Sequence, residues 1–254
     1  MLILYQTQLT KKINLAGNVF LFEFSLIEPK EISFLAGQYL ILLIPSKGET
    51  ISRLYSIASP PWQKNSFELV VELFDGGVGS TYLKNLKIRD KVLFKGPAGM
   101  FTLKETYKNK VFFATGTGIA PIRSMIMKGQ KSPFDLECKT KSDLVKSQKF
   151  LFWGLRKKED VYFLEEFKKI KEENKNFEFK ICLSKETSLS KVESDFFSLG
   201  HVDYVFEKEL FPKIKETIFD FEFYLCGGRG VVEFLRQFLL QKNIPQSAIF
   251  FEKF

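Results

Sequence analysis

Five near-continuous apolar runs mark the second part of the chain: Lys110–Thr115, Lys149–Trp153, Phe177–Leu183, Phe221–Leu225 and Ala248–Phe251. A strand covered on both faces reads this way, because neither face leaves room for polar side chains. Helical stretches at Pro121–Lys128, Tyr162–Asn174 and Val231–Gln241 lie between several of them. Strands alternating with helices predict an α/β domain built on a doubly wound parallel sheet, here five-stranded. The polar, lysine-rich segment Gly129–Ser147 has no period and reads as an exposed loop or insertion.

The chain before about Thr106 follows another rule. Short β-rich runs at Asn18–Ile27, Gln38–Ile44, Thr50–Ala58, Phe67–Phe74 and Lys91–Lys95 are separated by turn formers such as Pro45-Ser-Lys-Gly48 and Pro60-Pro61. That spacing predicts a small antiparallel β-barrel. One short helix, Ser80–Leu86, interrupts it after Gly76-Gly-Val-Gly79. The division predicts two domains, 1–106 and 107–254.

Composition narrows the class. An apolar fraction of 45% and a charged fraction of 27% are ordinary globular values, which excludes a disordered chain, a collagen-like one and a membrane bundle. The net charge of +8 favours acidic or phosphorylated partners, although much of the lysine alternates with glutamate as on a solvated helix face. Cys138, Cys182 and Cys226 lie too far apart for a local metal-ligand set and are too few for a disulfide framework, so a reducing, cytoplasmic setting is expected. With His201 the lone histidine, no metal site and no Ser-His-Asp triad is expected. The start, Met1-Leu-Ile-Leu, lacks a basic leader, and no apolar stretch is long enough for a membrane span.

Short strings carry the chemistry. In Thr115-Gly-Thr-Gly-Ile-Ala-Pro121 a buried strand ends, two glycines let backbone approach a ligand, and Pro121 is expected to open a helix whose free amides attract a phosphate. The same string also suits an ordinary tight β-to-α turn, and Pro121 stands where a dinucleotide fingerprint would have its third glycine. In Arg53-Leu-Tyr-Ser-Ile-Ala-Ser59, strand alternation puts Arg53, Tyr55 and Ile57 on one face and Leu54, Ser56 and Ala58 on the other. A guanidinium, a ring and a hydroxyl suit a phosphorylated aromatic cofactor, as they also suit an amphipathic barrel strand. Gly76-Gly-Val-Gly-Ser-Thr-Tyr82 leads amides into a helix start, and Gly96-Pro-Ala-Gly-Met-Phe101 is a turn at the end of the barrel.

Taken in order, R-x-Y-S, G-x-x-S, G-P-x-G-x-F, G-T-G-I-A-P, a late C-G and a terminal E-x-aromatic resemble the ferredoxin–NADP reductase superfamily of flavoprotein reductases along essentially the whole chain. The resemblance implies that the barrel holds FAD and the parallel sheet a nicotinamide nucleotide, the two rings meeting in a cleft between the domains. It implies that Arg53 binds the flavin pyrophosphate with Gly79, Ser80 and Thr81, that Leu54 and Tyr55 line the flavin with Tyr55 stacked on it, and that Ser56 hydrogen-bonds near N5. Thr115, Gly116, Thr117 and Gly118 then form the nicotinamide pyrophosphate turn, and Cys226-Gly227 the turn facing nicotinamide. Glu252 is expected to support hydride and proton traffic, making Ser56, Cys226 and Glu252 the catalytic set. Phe254 takes the place of an aromatic lid over the flavin, often tyrosine in this branch; a frayed terminus is its plain alternative. Ser184-Lys185 resembles the Ser-Arg pair that grips the 2′-phosphate of NADPH, which favours NADPH over NADH, and Gly154-Leu-Arg156 resembles a string, G-A-R, whose arginine approaches the nucleotide, an ordinary surface arginine being the alternative.

Many relatives carry a fused iron–sulfur domain with C-x4-C-x2-C spacing, which is not found here. The implied activity is hydride transfer between NADPH or NADH and FAD, with single electrons passing to a separate acidic carrier such as ferredoxin or flavodoxin. The alternatives are a flavin reductase or the reductase component of an oxygenase, and, from another class, a non-catalytic electron-transfer or interaction subunit. Nucleic acid is not expected as a partner, and no membrane span is expected.

Overall fold

The computed structural model describes residues 2–46, 48–128 and 147–254; Cys138 and the predicted loop, apart from Ser147, lie outside the described residues. The chain divides into two compact units, Met1–Leu103 with Ala120–Gly129, and Lys104–Ile119 with Gln130–Phe254.

The first unit is a barrel of six strands: β1 (Ile3–Ala16), β2 (Val19–Glu28), β3 (Tyr39–Ser46), β4 (Glu49–Ser56), β5 (Ser66–Glu72) and, after helix α1 (Val78–Asn85), β6 (Lys91–Ala98). All pairings are antiparallel in the order β4-β3-β6-β1-β2-β5, and an Ile57–Leu69 bridge joins the two outer strands. Closing the sheet leaves a narrow interior, filled by Phe24, Phe67 and Phe94 with ring centroids 4.9–5.5 Å apart. Sequence periodicity missed β1, whose apolar alternation is interrupted by three register shifts against β2.

The second unit is an all-parallel sheet of six strands, β7 (Asn109–Thr115), β8 (Lys149–Leu155), β9 (Phe177–Leu183), β10 (Phe197–Leu199), β11 (Phe221–Gly227) and β12 (Ile249–Lys253). The expected count of five is corrected by β10, which has three residues and, among the described residues, pairs with β9 alone, too short to show a pattern of its own. Helices α2 (Ile119–Met127), α3 (Leu164–Glu173), α4 (Val202–Glu209), α5 (Phe211–Ile214) and α6 (Arg229–Gln241) complete the described secondary structure apart from short 3-10 turns. On one face α4, α5 and α6 bury Val205, Phe206, Ile214, Val232 and Leu235 against Phe113, Phe223 and Leu225. On the other, Phe167 of α3 meets Trp153, Phe177 and Phe179 edge-on or tilted. Apolar cover on both sides explains why these strands read as unbroken hydrophobic runs.

Strand order β10-β9-β8-β7-β11-β12 has one reversal, between β7 and β11. Open parallel sheets bind ligands outside the strand C-termini at such a switch point. Here those C-termini are Thr115 and Gly227. Pro121 does not open α2, as expected from the sequence, but is its third residue, because a 3-10 turn, Gly116–Gly118, comes between strand and helix. Proline is still tolerated there, since a first-turn residue has no helical acceptor to lose.

Candidate functional site

The barrel unit assembles the R-x-Y-S and G-x-x-S strings. A Cβ on Gly79 would fall on the Tyr55 hydroxyl and 3.2 Å from Cγ of Arg53, so the glycine is the floor on which the two β4 side chains lie, and Arg53 and Tyr55 share a face as alternation requires. Gly77, the N-cap of α1, offers no side-chain cap, leaving first-turn amides beside the exposed Arg53. A guanidinium next to uncapped amides is the donor set of a pyrophosphate, and the cradle fits that group. The Ser80 hydroxyl accepts the Phe74 amide at 3.0 Å, which shapes the turn and leaves its own hydrogen to donate. Thr81 is exposed and its amide closes the helix onto the Gly77 carbonyl. Leu54 is exposed on the other face, and Ser56 lies half-buried opposite Tyr39 of β3. Burial raises the Tyr55 hydroxyl above its ordinary pKa while Arg53 pulls it down, so the ring stays neutral at physiological pH.

Two supports escaped sequence reasoning. Arg123 of α2, 5% exposed, donates through one nitrogen to the Ala58 carbonyl at 2.8 Å and to Glu68 at 2.7 Å, bracing the chain two residues past Ser56. Lys12 donates to the carbonyls of Lys84 and Leu86, capping the C-terminal end of α1. The only local signal was a lone cation in an apolar run for Arg123, and none for Lys12.

The second unit brings Thr115–Gly118 against Cys226-Gly227. A Cβ on Gly118 would fall on the Cys226 carbonyl, and one on Gly227 would fall on the Thr115 hydroxyl, so at the switch point backbone packs on backbone at Gly118 and on the Thr115 side chain at Gly227. Gly116 has φ +52°, a conformation glycine adopts without strain. Its carbonyl accepts from Trp153 Nε1 at 3.0 Å and from the Tyr162 hydroxyl at 3.4 Å, a grip that fixes the turn from beneath and that no motif announced. Thr115 gives the turn no side-chain cap, so its amides suit an anionic ligand.

Cys226 is 2% exposed and pairs in register with Glu252 of β12. Burial, reinforced by Glu252, holds the thiol well above its ordinary pKa, and the Gly227 amide offsets this only in part. It is therefore a neutral S–H, unsuited to nucleophilic attack. The backbone of Phe254 is tied by its amide to the Gly227 carbonyl and by its carbonyl to the Arg229 amide, while the ring is 64% exposed.

Arg156, Ser184 and Lys185 also come together. The Ser184 amide donates to Leu155 and the Lys185 amide to Arg156, joining the ends of β8 and β9, and both cations are exposed. His201 stands at the N-cap of α4, exposed, and Cys182 is buried within the sheet. No helix among the described residues is long and apolar enough to cross a membrane.

Comparison with known proteins places both halves. Residues 6–103 match the oxidoreductase FAD-binding domain family and residues 112–237 the oxidoreductase NAD-binding domain family. Ferredoxin–NADP reductase B of Sorangium cellulosum is 30% identical over 163 residues, covering 64% of this chain and 62% of that protein. One component of the Na(+)-translocating NADH-quinone reductase of Idiomarina loihiensis is 34% identical over 54% of this chain and 33% of its own length. These curated relatives thus extend well beyond the region they share with the chain. Among solved structures, the Amycolatopsis cytochrome P450 reductase GcoB superposes with a TM-score of 0.83 at 25% identity over 100% of this chain and 70% of that one. A ferredoxin NADP+ reductase from Neisseria gonorrhoeae, solved with FAD and NADP, gives 0.80 at 18% identity over 98% of both chains, a likeness of fold. With both domains matched and their glycine turns built as described, the chain belongs to the ferredoxin–NADP reductase superfamily of FAD- and NAD(P)-binding oxidoreductases.

Proposed function

We propose that the protein is a cytoplasmic reductase that takes a hydride from NADPH onto FAD and delivers electrons singly to a separate acidic carrier, a ferredoxin or flavodoxin. The observation that carries the reading is the switch-point packing of Gly118 on Cys226 and Gly227 on Thr115. Two glycines there make a narrow turn lined by backbone amides, the surface that a dinucleotide pyrophosphate requires. Bound flavin supplies the conversion of a two-electron hydride into single electrons.

The chain's residues bind and orient. Arg53, the α1 amides and Ser80 hold one pyrophosphate, with Leu54, Tyr55 and Thr81 beside the flavin; Thr115–Gly118 hold the other. Ser56 would donate a hydrogen bond to bound flavin near N5, and Cys226 with Gly227 would present an uncharged surface to nicotinamide. Glu252, in register with Cys226, would hold a proton beside that contact, and the exposed ring of Phe254 would be the one that yields its place to nicotinamide. Arg156 and Lys185, exposed at the ends of β8 and β9, with half-buried Ser184 beside them, support NADPH by offering two cations and a hydroxyl oxygen to a 2′-phosphate. The net charge of +8 supports an acidic carrier, and a ferredoxin–NADP reductase is among the relatives.

Anaerobic titration of the purified FAD-loaded protein with NADPH and with NADH, in the presence of ferredoxin or flavodoxin, tests this directly. The visible flavin band bleaches with NADPH first and recovers as carrier is reduced; a band unmoved by either nucleotide removes the reading. Ser56→Val keeps the yellow colour and slows bleaching in stopped flow about a hundredfold, the usual loss when one oriented donor is removed. The likeness to GcoB favours a second reading, the reductase of an oxygenase, in which neither carrier is reduced although the flavin is.

A further inference from the structure

At the ends of β8 and β9 the charged residues are employed unevenly. Four carboxylates cluster there and each has a partner. Glu159 pairs with Lys157 at 3.3 Å, and Asp160 accepts the Lys157 amide at 2.9 Å. Glu193 pairs with the Lys158 ammonium at 2.8 Å and accepts the Ser190 amide at 2.8 Å. Glu186 accepts the Lys158 amide at 3.0 Å. Arg156 and Lys185, by contrast, have no ion pair among the described residues.

Glu186 is the informative member of this set. It follows Lys185 directly, where a carboxylate free to swing would neutralise the lysine and repel a phosphate dianion. Its hydrogen bond instead commits it to the backbone of the turn Lys158–Asp160, two residues past Arg156, while the Lys185 amide holds the Arg156 carbonyl at 2.9 Å. The carboxylate and this backbone bond thus form two rungs between the segment after β8 and the segment after β9.

We propose that Glu186 is a positioning residue for nucleotide selectivity: by clamping the Lys158 amide it sets Arg156 beside Lys185 as a pair of unneutralised cations for a 2′-phosphate. The inference rests on the reading of Arg156 and Lys185 as the 2′-phosphate grip. It assigns Glu186 a role as a hydrogen-bond acceptor, not as a charge, which separates it from a merely electrostatic neighbour.

Calorimetric titration of the FAD-loaded full chain with 2′-phospho-AMP and with AMP tests it, alongside hydrogen exchange at the Lys158 amide. Wild type prefers 2′-phospho-AMP by about tenfold or more, as one charge-assisted contact gives. Glu186→Ala lowers that preference about fivefold, leaves AMP binding unchanged and speeds exchange at Lys158, as loss of one hydrogen bond should. Glu186→Gln, whose amide oxygen still accepts, keeps the preference and the slow exchange. Glu186→Asp, too short to reach and left free to swing beside Lys185, loses at least as much of the preference as Glu186→Ala and serves should the alanine variant misfold. A wild-type preference retained in Glu186→Ala, or lost equally in Glu186→Gln, overturns the role of Glu186 and leaves the NADPH reading standing. A wild type without preference for 2′-phospho-AMP overturns both.

Discussion

The two ends of the parallel sheet use the same residue types for opposite purposes. At the N-terminal end, Lys110 and Glu222 are partners in register between β7 and β11, 2% and 5% exposed, and form an ion pair at 3.2 Å. Lys110 also donates to the Thr106 hydroxyl, while Thr106 and Tyr224 both donate to Glu222, and Tyr224 accepts the Lys104 amide. Every member is satisfied, and the network pins the segment entering the sheet. At the C-terminal end, Arg156 and Lys185 stand exposed without ion pairs among the described residues, and the packing is made of glycines. The buried charges are fully paired and serve the fold; the two exposed cations, whose acidic neighbours are committed elsewhere, are the ones proposed to meet a ligand.

That contrast breaks first at Lys110. Replacing it by Met removes one partner and leaves Glu222 buried beside two hydroxyls, so Lys110→Met destabilises by about 3 kcal/mol in urea unfolding. Burial already holds the Lys110 pKa below its ordinary value against the pull of Glu222, a sign that its site is costly for an unpaired charge. The preference for 2′-phospho-AMP over AMP should not change; a variant that loses selectivity along with stability would show that the two ends are not separable in this way.

Gly118→Ala tests the other end. The added Cβ meets the Cys226 backbone, which cannot rotate aside as a side chain can, so about 2 kcal/mol of stability is lost by overpacking. Unlike Lys110→Met, it also weakens AMP and 2′-phospho-AMP alike, because in the proposed function both rest on the same turn. Calorimetry on the folded fraction distinguishes the cases: unaltered AMP affinity in Gly118→Ala would detach the turn from the nucleotide.

How far each end could be read beforehand follows the range of its interactions. The glycine strings were legible because a close backbone approach constrains residue type locally, and the long strands because two-sided burial writes itself into consecutive residues. β10 was not, since three residues carry no period, and β1 was not, since its register shifts scramble alternation. The Lys110 network, the Arg123 brace and the Trp153 grip on Gly116 were invisible for a further reason. Each joins a side chain to a partner 37 or more residues away, and a lone lysine, arginine or tryptophan in an apolar run does not say what it will meet. Glu186 directly follows Lys185, and nothing in the sequence around it announces a backbone acceptor, because that use depends on a strand two elements earlier.

The smallest expected effect sharpens the contrast through pH. Glu193, on the solvent side of the ligand end, has its carboxyl lowered from 4.5 to about 2, first by its hydrogen bond with Lys158 and then by the Ser190 amide and hydroxyl. A folded-state pKa below the unfolded one means that the stabilising link is complete above the unfolded value and fades as pH falls through the folded one. Its contribution is therefore constant from neutral pH down to roughly 5 and disappears between there and pH 2. The pair is half-exposed and open to solvent ions, so it is a small effect and a salt-sensitive one. Unfolding of wild type and Glu193→Gln compared across this range should give a difference that is level at neutral pH and closes on acidification. A difference that instead widened as pH fell would mean that Glu193 is protonated in the folded protein at ordinary acidity, and that the carboxylates at the ligand end are not committed to their partners as the contrast with Lys110 and Glu222 requires.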